Sequence, residues 1–209
     1  MIQLPTPETV HDTGRFNISR FRNYDYFHHW TGHSVAVLPM LVERARVQNY
    51  SSTPLGDSVI YPVEPMFCLR QEDLPCWQVS TGQELHWTCV TGGVDKEAWE
   101  EYLASPLAGD LNTLRMLLKV AAIRELREET GLQLREFNLT CEGPMFCGKG
   151  SNLQVTYFWI FIRQADILSI QPDSPFEARA RNIWLPKSQV LANCDNYDLH
   201  TRYLLRDRK

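Results

Sequence analysis

The chain has 209 residues, 44% hydrophobic and 22% charged, which suits one globular domain with a sizeable core. Its net charge of −4 and pI near 5.9 exclude a broad basic surface for nucleic acid or an anionic membrane, and leave room only for a local positive patch. The six cysteines form no Cys-x-x-Cys pair and no apolar run is long enough to span a bilayer. With no basic-then-apolar signal at the N-terminus, the expectation is a soluble cytoplasmic protein with reduced thiols.

Residues 1–33 read as an irregular N-terminal extension, because Pro5, Pro7 and Gly14 discourage a long helix. Within them Phe21–Trp30 is dense in aromatics. It is either a surface for substrate stacking or a homodimer contact, or it packs over a sheet, and packing is the preferred reading. His28, His29 and His33 suggest a metal cluster only superficially, since adjacent side chains diverge and no acid or cysteine completes a ligand set.

From residue 34 to 209 the pattern is that of a single α/β domain. Ser34–Leu38 reads as a buried strand, followed by Pro39 and a second apolar stretch to Val42. Residues 43–57 form a polar loop, and Val59–Leu69 returns to strand composition with Pro62 and Pro65 marking an edge or a bulge. Trp77–Val79 and Leu85–Val90 are short strand candidates, the second leading into Thr91-Gly92-Gly93-Val94-Asp95. Ala98–Leu103 suggests a short helix, and Ser105-Pro106 with Ala108-Gly109 breaks it.

Asp110 is a credible N-cap for a long helix over Leu111–Thr130, whose Leu114, Leu118, Ala122 and Leu126 form an apolar stripe and which Gly131 ends. In the last turns Glu125, Glu128 and Glu129 fall within an arc of roughly 100° and so share one face. Like charges at this spacing repel by a few tenths of a kcal/mol per pair, and a hard divalent cation reverses that penalty. The bland reading of such a run is a solvated helical face. Beyond the helix, Leu132–Leu139 alternates as a strand does, and Glu142–Asn152 reads as a glycine-rich loop whose Lys149 either meets a phosphate or only solubilises. Val155–Ile162 is the clearest buried strand. Gln171–Arg179 is a loop leading to Ile183-Trp184-Leu185-Pro186, and residues 187–206 suggest a closing helix.

The run Arg124-Glu125-Leu126-Arg127-Glu128-Glu129-Thr130-Gly131-Leu132 resembles the second half of the box that marks Nudix hydrolases, and matches it at every specified position. Gly92-Gly93 resembles the glycine of the first half. Thirty residues separate Gly93 from Arg124, which implies an insertion of about 17 relative to the family spacing. Trp99 stands where that spacing puts the upstream box glutamate, with Glu97, Glu100 and Glu101 nearby.

The resemblance implies a Nudix-type α/β/α sandwich with a mixed sheet and a loop-helix-loop catalytic motif. It implies Mg²⁺ or Mn²⁺ held by Glu125, Glu128 and Glu129, with a backbone carbonyl at Gly92 and an acid before the Trp184 strand. That acid is Glu177, with Asp173 second. Arg124 would orient a glutamate, and one of the glutamates or Glu177 would be the base. The implied function is metal-dependent hydrolysis of a pyrophosphate bond in a small-molecule nucleotide. ADP-ribose or a nucleotide sugar is the first substrate expected and a nucleoside triphosphate the second. The alternative is a Nudix-fold module that senses a nucleotide without cleaving it.

Overall fold

The computed structural model describes residues 8–12, 16–21, 24–42, 46–49, 58–61, 64–72, 82, 86–135, 138–146, 151–170 and 180–206. In chain order the strands are β1 (Glu8–Asp12), β2 (Phe16–Phe21), β3 (Tyr24–His29), β4 (His33–Leu41), β5 (Arg46–Asn49), β6 (Ser58–Tyr61), β7 (Met66–Glu72), β8 (His86–Thr88) and β9 (Val90–Gly93). Two helices follow, α1 (Lys96–Ala104) and α2 (Leu111–Thr130). The remainder is β10 (Leu132–Leu134), β11 (Asn138–Phe146), β12 (Gln154–Ile162), β13 (Ile167–Ile170), β14 (Arg181–Pro186), α3 (Lys187–Ala192) and α4 (Leu199–Leu205).

This is the expected mixed α/β architecture. The principal sheet has seven strands, five of them in the order β11-β12-β4-β7-β14, with β8 on β7 and β9 on β4. β4 and β12 are almost wholly buried along their length, which is why both read as continuous apolar runs rather than alternating ones. Pro39 lacks an N–H to give the ladder. It falls immediately before Met40 and Leu41, which pair with Phe67 and Met66 of β7. No helix among the described residues is long and apolar enough to cross a membrane.

The chain forms two compact units. One draws on Met1–Ala36, Thr91–Glu125 and Cys141–Phe158, the other on Val37–Val90, Leu126–Thr140 and Trp159–Lys209. In the first, β1, β2 and β3 form an antiparallel sheet, so the irregular chain expected for residues 1–33 is replaced there by a meander. Their segments, such as Phe16-Asn17-Ile18-Ser19, alternate in sequence with period two. α2 begins at the expected residue. Asp110 accepts from the Thr113 backbone N–H at 2.7 Å and from its hydroxyl at 2.8 Å, a cap that satisfies an otherwise orphaned donor. Those bonds hold the Asp110 carboxyl below its ordinary range.

The second unit contains the end of α2. Leu126 is buried, Gly131 takes φ of 69°, and its N–H returns to the Arg127 carbonyl at 2.8 Å, so the helix stops where a left-handed residue is cheapest. The strand expected over Leu132–Leu139 is instead two. β10 pairs with β13, and β11 starts at Asn138. β11 also runs through Glu142–Phe146, where a loop was expected. As an edge strand with one neighbour in the sheet order it tolerates Gly143 and Pro144. The strand expected at Trp77–Val79 lies outside the described residues, as does Lys149. The closing helix is broken into α3, a single 3₁₀ turn and α4. Asp198 caps α4, and Thr201, fully buried, accepts from the Cys89 N–H at 2.6 Å.

Candidate active site

In the first unit the decisive contact lies between Gly92 on β9 and Glu125 on α2. A Cβ added to Gly92 would meet Cγ, Cδ and Oε2 of Glu125, each closer than the 3.0 Å that real Cβ atoms respect. Only glycine lets this carboxylate lie against the backbone. Glu125 is buried, 8% exposed, and Arg124 holds it there. The Arg124 guanidinium donates through Nη2 to the Gly93 carbonyl at 2.7 Å and to Glu125 Oε1 at 2.6 Å, while Nε lies 3.1 Å from Asp95 Oδ2. One cation thus ties together the end of β9, the residue before α1 and the neighbouring carboxylate, through charge-assisted bonds that are stronger than neutral ones.

In the second unit the last turn of α2 is fastened from β7 and β14. Arg70, 3% exposed on β7, donates through Nη1 to the Glu129 carbonyl, and Asn182 on β14 donates to the same oxygen at 3.1 Å. That carbonyl is one of the four a helix leaves without an internal partner. The Arg70 Nε also lies 3.7 Å from Glu129 Oε2 and 3.2 Å from Glu72 Oε2, so a single buried cation is shared by two carboxylates. A buried charge without such partners would be costly.

No protein-family model matches the chain. No curated protein matches it in sequence. Among solved structures it is similar to one described as an ADP compounds hydrolase, with a TM-score of 0.50 and 18% identity over 98% of this chain and 92% of that one. This likeness establishes the fold. A looser alignment, TM-score 0.39 and 18% identity over 83% of this chain and 92% of the other, is to a C. elegans Ap4A hydrolase in a binary complex.

Of the residues singled out from sequence, Gly92, Arg124 and Glu125 come together in the first unit. Glu129 is held by Arg70 in the second, and Glu128 is half-buried on the same helix. Glu177 and Asp173 lie outside the described residues. Trp99, at the spacing of the upstream box glutamate, packs instead, its ring 4.8 Å from that of His33 and 5.3 Å from that of Tyr102. Burial there lowers the His33 pKa. Sequence reasoning missed Arg70, Glu72, Asp95 and Asn182. A signal for Arg70 was present, since an arginine directly after the apolar run Phe67-Cys68-Leu69 in a strand must find an acidic partner when buried.

Glu125, a carboxylate lying against a glycine backbone in the first unit, is of the donor type a hard divalent cation takes. As they stand, Glu125 is turned to Arg124 and Glu129 to Arg70, and among the described residues no three acidic, histidine or cysteine side chains converge on one point. Among the described residues the thiols offer no nucleophile of note in the core. Burial pushes Cys68 up to about 12 and Cys89 well above the ordinary range.

Proposed function

We propose that this chain is a hydrolase of the Nudix kind that cleaves a pyrophosphate bond in a nucleoside diphosphate derivative. ADP-ribose or a nucleotide sugar is the first substrate to consider and a nucleoside triphosphate the second. The observation that carries this reading is the buried Glu125, seated against Gly92 and held by Arg124, which ties the glycine half of the box-like sequence to the glutamate half. The fold likeness to an ADP compounds hydrolase agrees with it.

Glu125, Glu129 and Glu128 would hold Mg²⁺ or Mn²⁺, with the Gly92 carbonyl and Glu177 as further donors. Such an ion, when bound, supplies the positive charge that phosphates require and makes water a better nucleophile. The helix end that carries these glutamates has the wrong sign of dipole to attract an anion unaided. Arg124 positions Glu125 through Nη2 and offsets repulsion among the acids. One of the three glutamates, or Glu177, takes the proton from the attacking water at a carboxylate oxygen.

Glu129→Gln should lower turnover by at least about a hundredfold, the scale of losing a positioned electrostatic group. Near wild-type turnover of that variant at low Mg²⁺ would overturn the assignment. A second reading, a nucleotide sensor without turnover, is favoured by one observation: Trp99 fills a packing role at the position of the upstream glutamate. Stoichiometric nucleotide binding in calorimetry with no product formed would select it.

A further inference from the structure

We infer that Arg70 is a positioning residue that acts as a tethered counter-ion for Glu129, competing with a divalent cation for its carboxylate. This rests on the metal-site reading proposed above and adds a regulator of that site which the glutamate pattern does not contain. The guanidinium has two separable jobs. Through Nη1 it fixes the Glu129 backbone carbonyl, a task Asn182 shares at 3.1 Å. Through Nε it lies 3.7 Å from the Glu129 carboxylate and 3.2 Å from that of Glu72.

Glu72 is the closer partner and the more exposed of the two acids, with 27% side-chain exposure against 16% for Glu129. It draws Arg70 away from Glu129. The arrangement is a balance: Glu72 holds the cation on β7, Arg70 leans on Glu129, and a metal must displace that second interaction to take the carboxylate. The positive charge lowers metal affinity, while the carbonyl bond keeps the helix end in register. Arg70 is 3% exposed, so water screens the balance only weakly.

The two jobs predict opposite signs, which separates this role from a merely structural one. Mn²⁺ dissociation constants, read by electron paramagnetic resonance on the full chain, should tighten about tenfold or more in Arg70→Met, the effect of deleting a unit charge a few ångströms away. Turnover should nonetheless fall about tenfold or more, because the Glu129 backbone loses its fork. Arg70→Lys keeps the charge and loses the fork, so its Mn²⁺ affinity should stay within about twofold of wild type while turnover falls. Glu72→Gln should weaken Mn²⁺ binding about threefold or more, as Arg70 is released onto Glu129.

A folded Arg70→Met chain that binds Mn²⁺ no tighter than wild type would overturn the inference. If that variant does not fold, Glu72→Gln decides, and unchanged or tighter binding there would overturn it. Glu129→Gln tells the two levels apart. Undiminished Mn²⁺ affinity in that variant sinks the metal-site reading itself. Lost affinity there, with no tightening in Arg70→Met, sinks only the counter-ion role. No Mn²⁺ binding in any of these forms overturns both.

Discussion

Gly92→Ala is the substitution whose outcome depends most on the geometry described. The Gly92 backbone lies outside the left-handed region, so the exchange carries no φ penalty there. At such a site alanine ordinarily stabilises a protein by about 0.4–1 kcal/mol through the unfolded chain. Here the new Cβ meets Cγ, Cδ and Oε2 of Glu125 closer than 3.0 Å, and Arg124 holds that side chain in place. Overpacking of this kind costs about 1–3 kcal/mol, which exceeds the entropic gain and leaves a net loss of roughly 1–2 kcal/mol. In an Glu125→Ala background the three opposing atoms are gone, so the same change should be neutral or slightly stabilising. The double-mutant cycle should therefore show a coupling of about 1–3 kcal/mol. Gly93→Ala serves as control, since its Cβ would have nothing within 4 Å. Urea unfolding followed by circular dichroism reads the stabilities of all five chains, and turnover of Gly92→Ala should fall about a hundredfold as the carboxylate is displaced. A Gly92→Ala chain as stable as wild type with Glu125 intact would refute the packing argument.

Three further outcomes follow from other parts of the molecule. The folded pKa of Asp110 is lowered by its bonds to Thr113, so its contribution to stability is complete above the ordinary value of 3.8 and is lost as pH falls through the folded value. Asp110→Ala should lower Tm by on the order of a few degrees at neutral pH and remove that acid-side loss, whereas Asp110→Asn should keep most of the cap, as thermal melts across pH will tell. His86, 2% exposed, has its pKa lowered by burial, partly opposed by the charge of Asp198. Neutral His86 is favoured by folding, so stability should decline as pH drops from the ordinary value of 6.5 through the lowered folded value, and His86→Phe should flatten that slope in the same melts. Cys68 and Cys89, both buried with raised pKa, should resist iodoacetamide at pH 8 until urea is added, and rapid labelling of either in the folded chain by mass spectrometry would contradict their placement.

Local signals made α2 legible. A capping aspartate, an apolar stripe at helical spacing and a terminal glycine all act within a few residues of one another, and each does what its chemistry demands. The buried strands β4 and β12 were legible for the same reason, because a run of apolar residues of that length has few other uses. The loop expected over Glu142–Asn152 gave way to strand over Glu142–Phe146 because glycine and proline signal a turn only when no neighbouring strand recruits the chain, and an edge position permits both. The antiparallel strands β1–β3 were obscured because Pro5, Pro7 and Gly14 dominate the sequence pattern while each strand is only five or six residues long. At the site, the glutamates and glycines were visible as a pattern, but their holders were not equally so. Arg124 is adjacent to Glu125 in sequence. Arg70 and Asn182 reach Glu129 from 59 and 53 residues away, and no periodicity encodes a pairing set by the sheet.

The most direct test of the central claim is a product assay on the purified chain with Mg²⁺ or Mn²⁺. ADP-ribose, nucleotide sugars, dinucleoside polyphosphates and nucleoside triphosphates would be offered in parallel, with chelator and Glu129→Gln as controls. Release of a nucleoside monophosphate from one of these classes is expected, abolished by chelator and lost in the variant. Cleavage that persists in Glu129→Gln, or no cleavage of any of them by the wild-type chain, would contradict it.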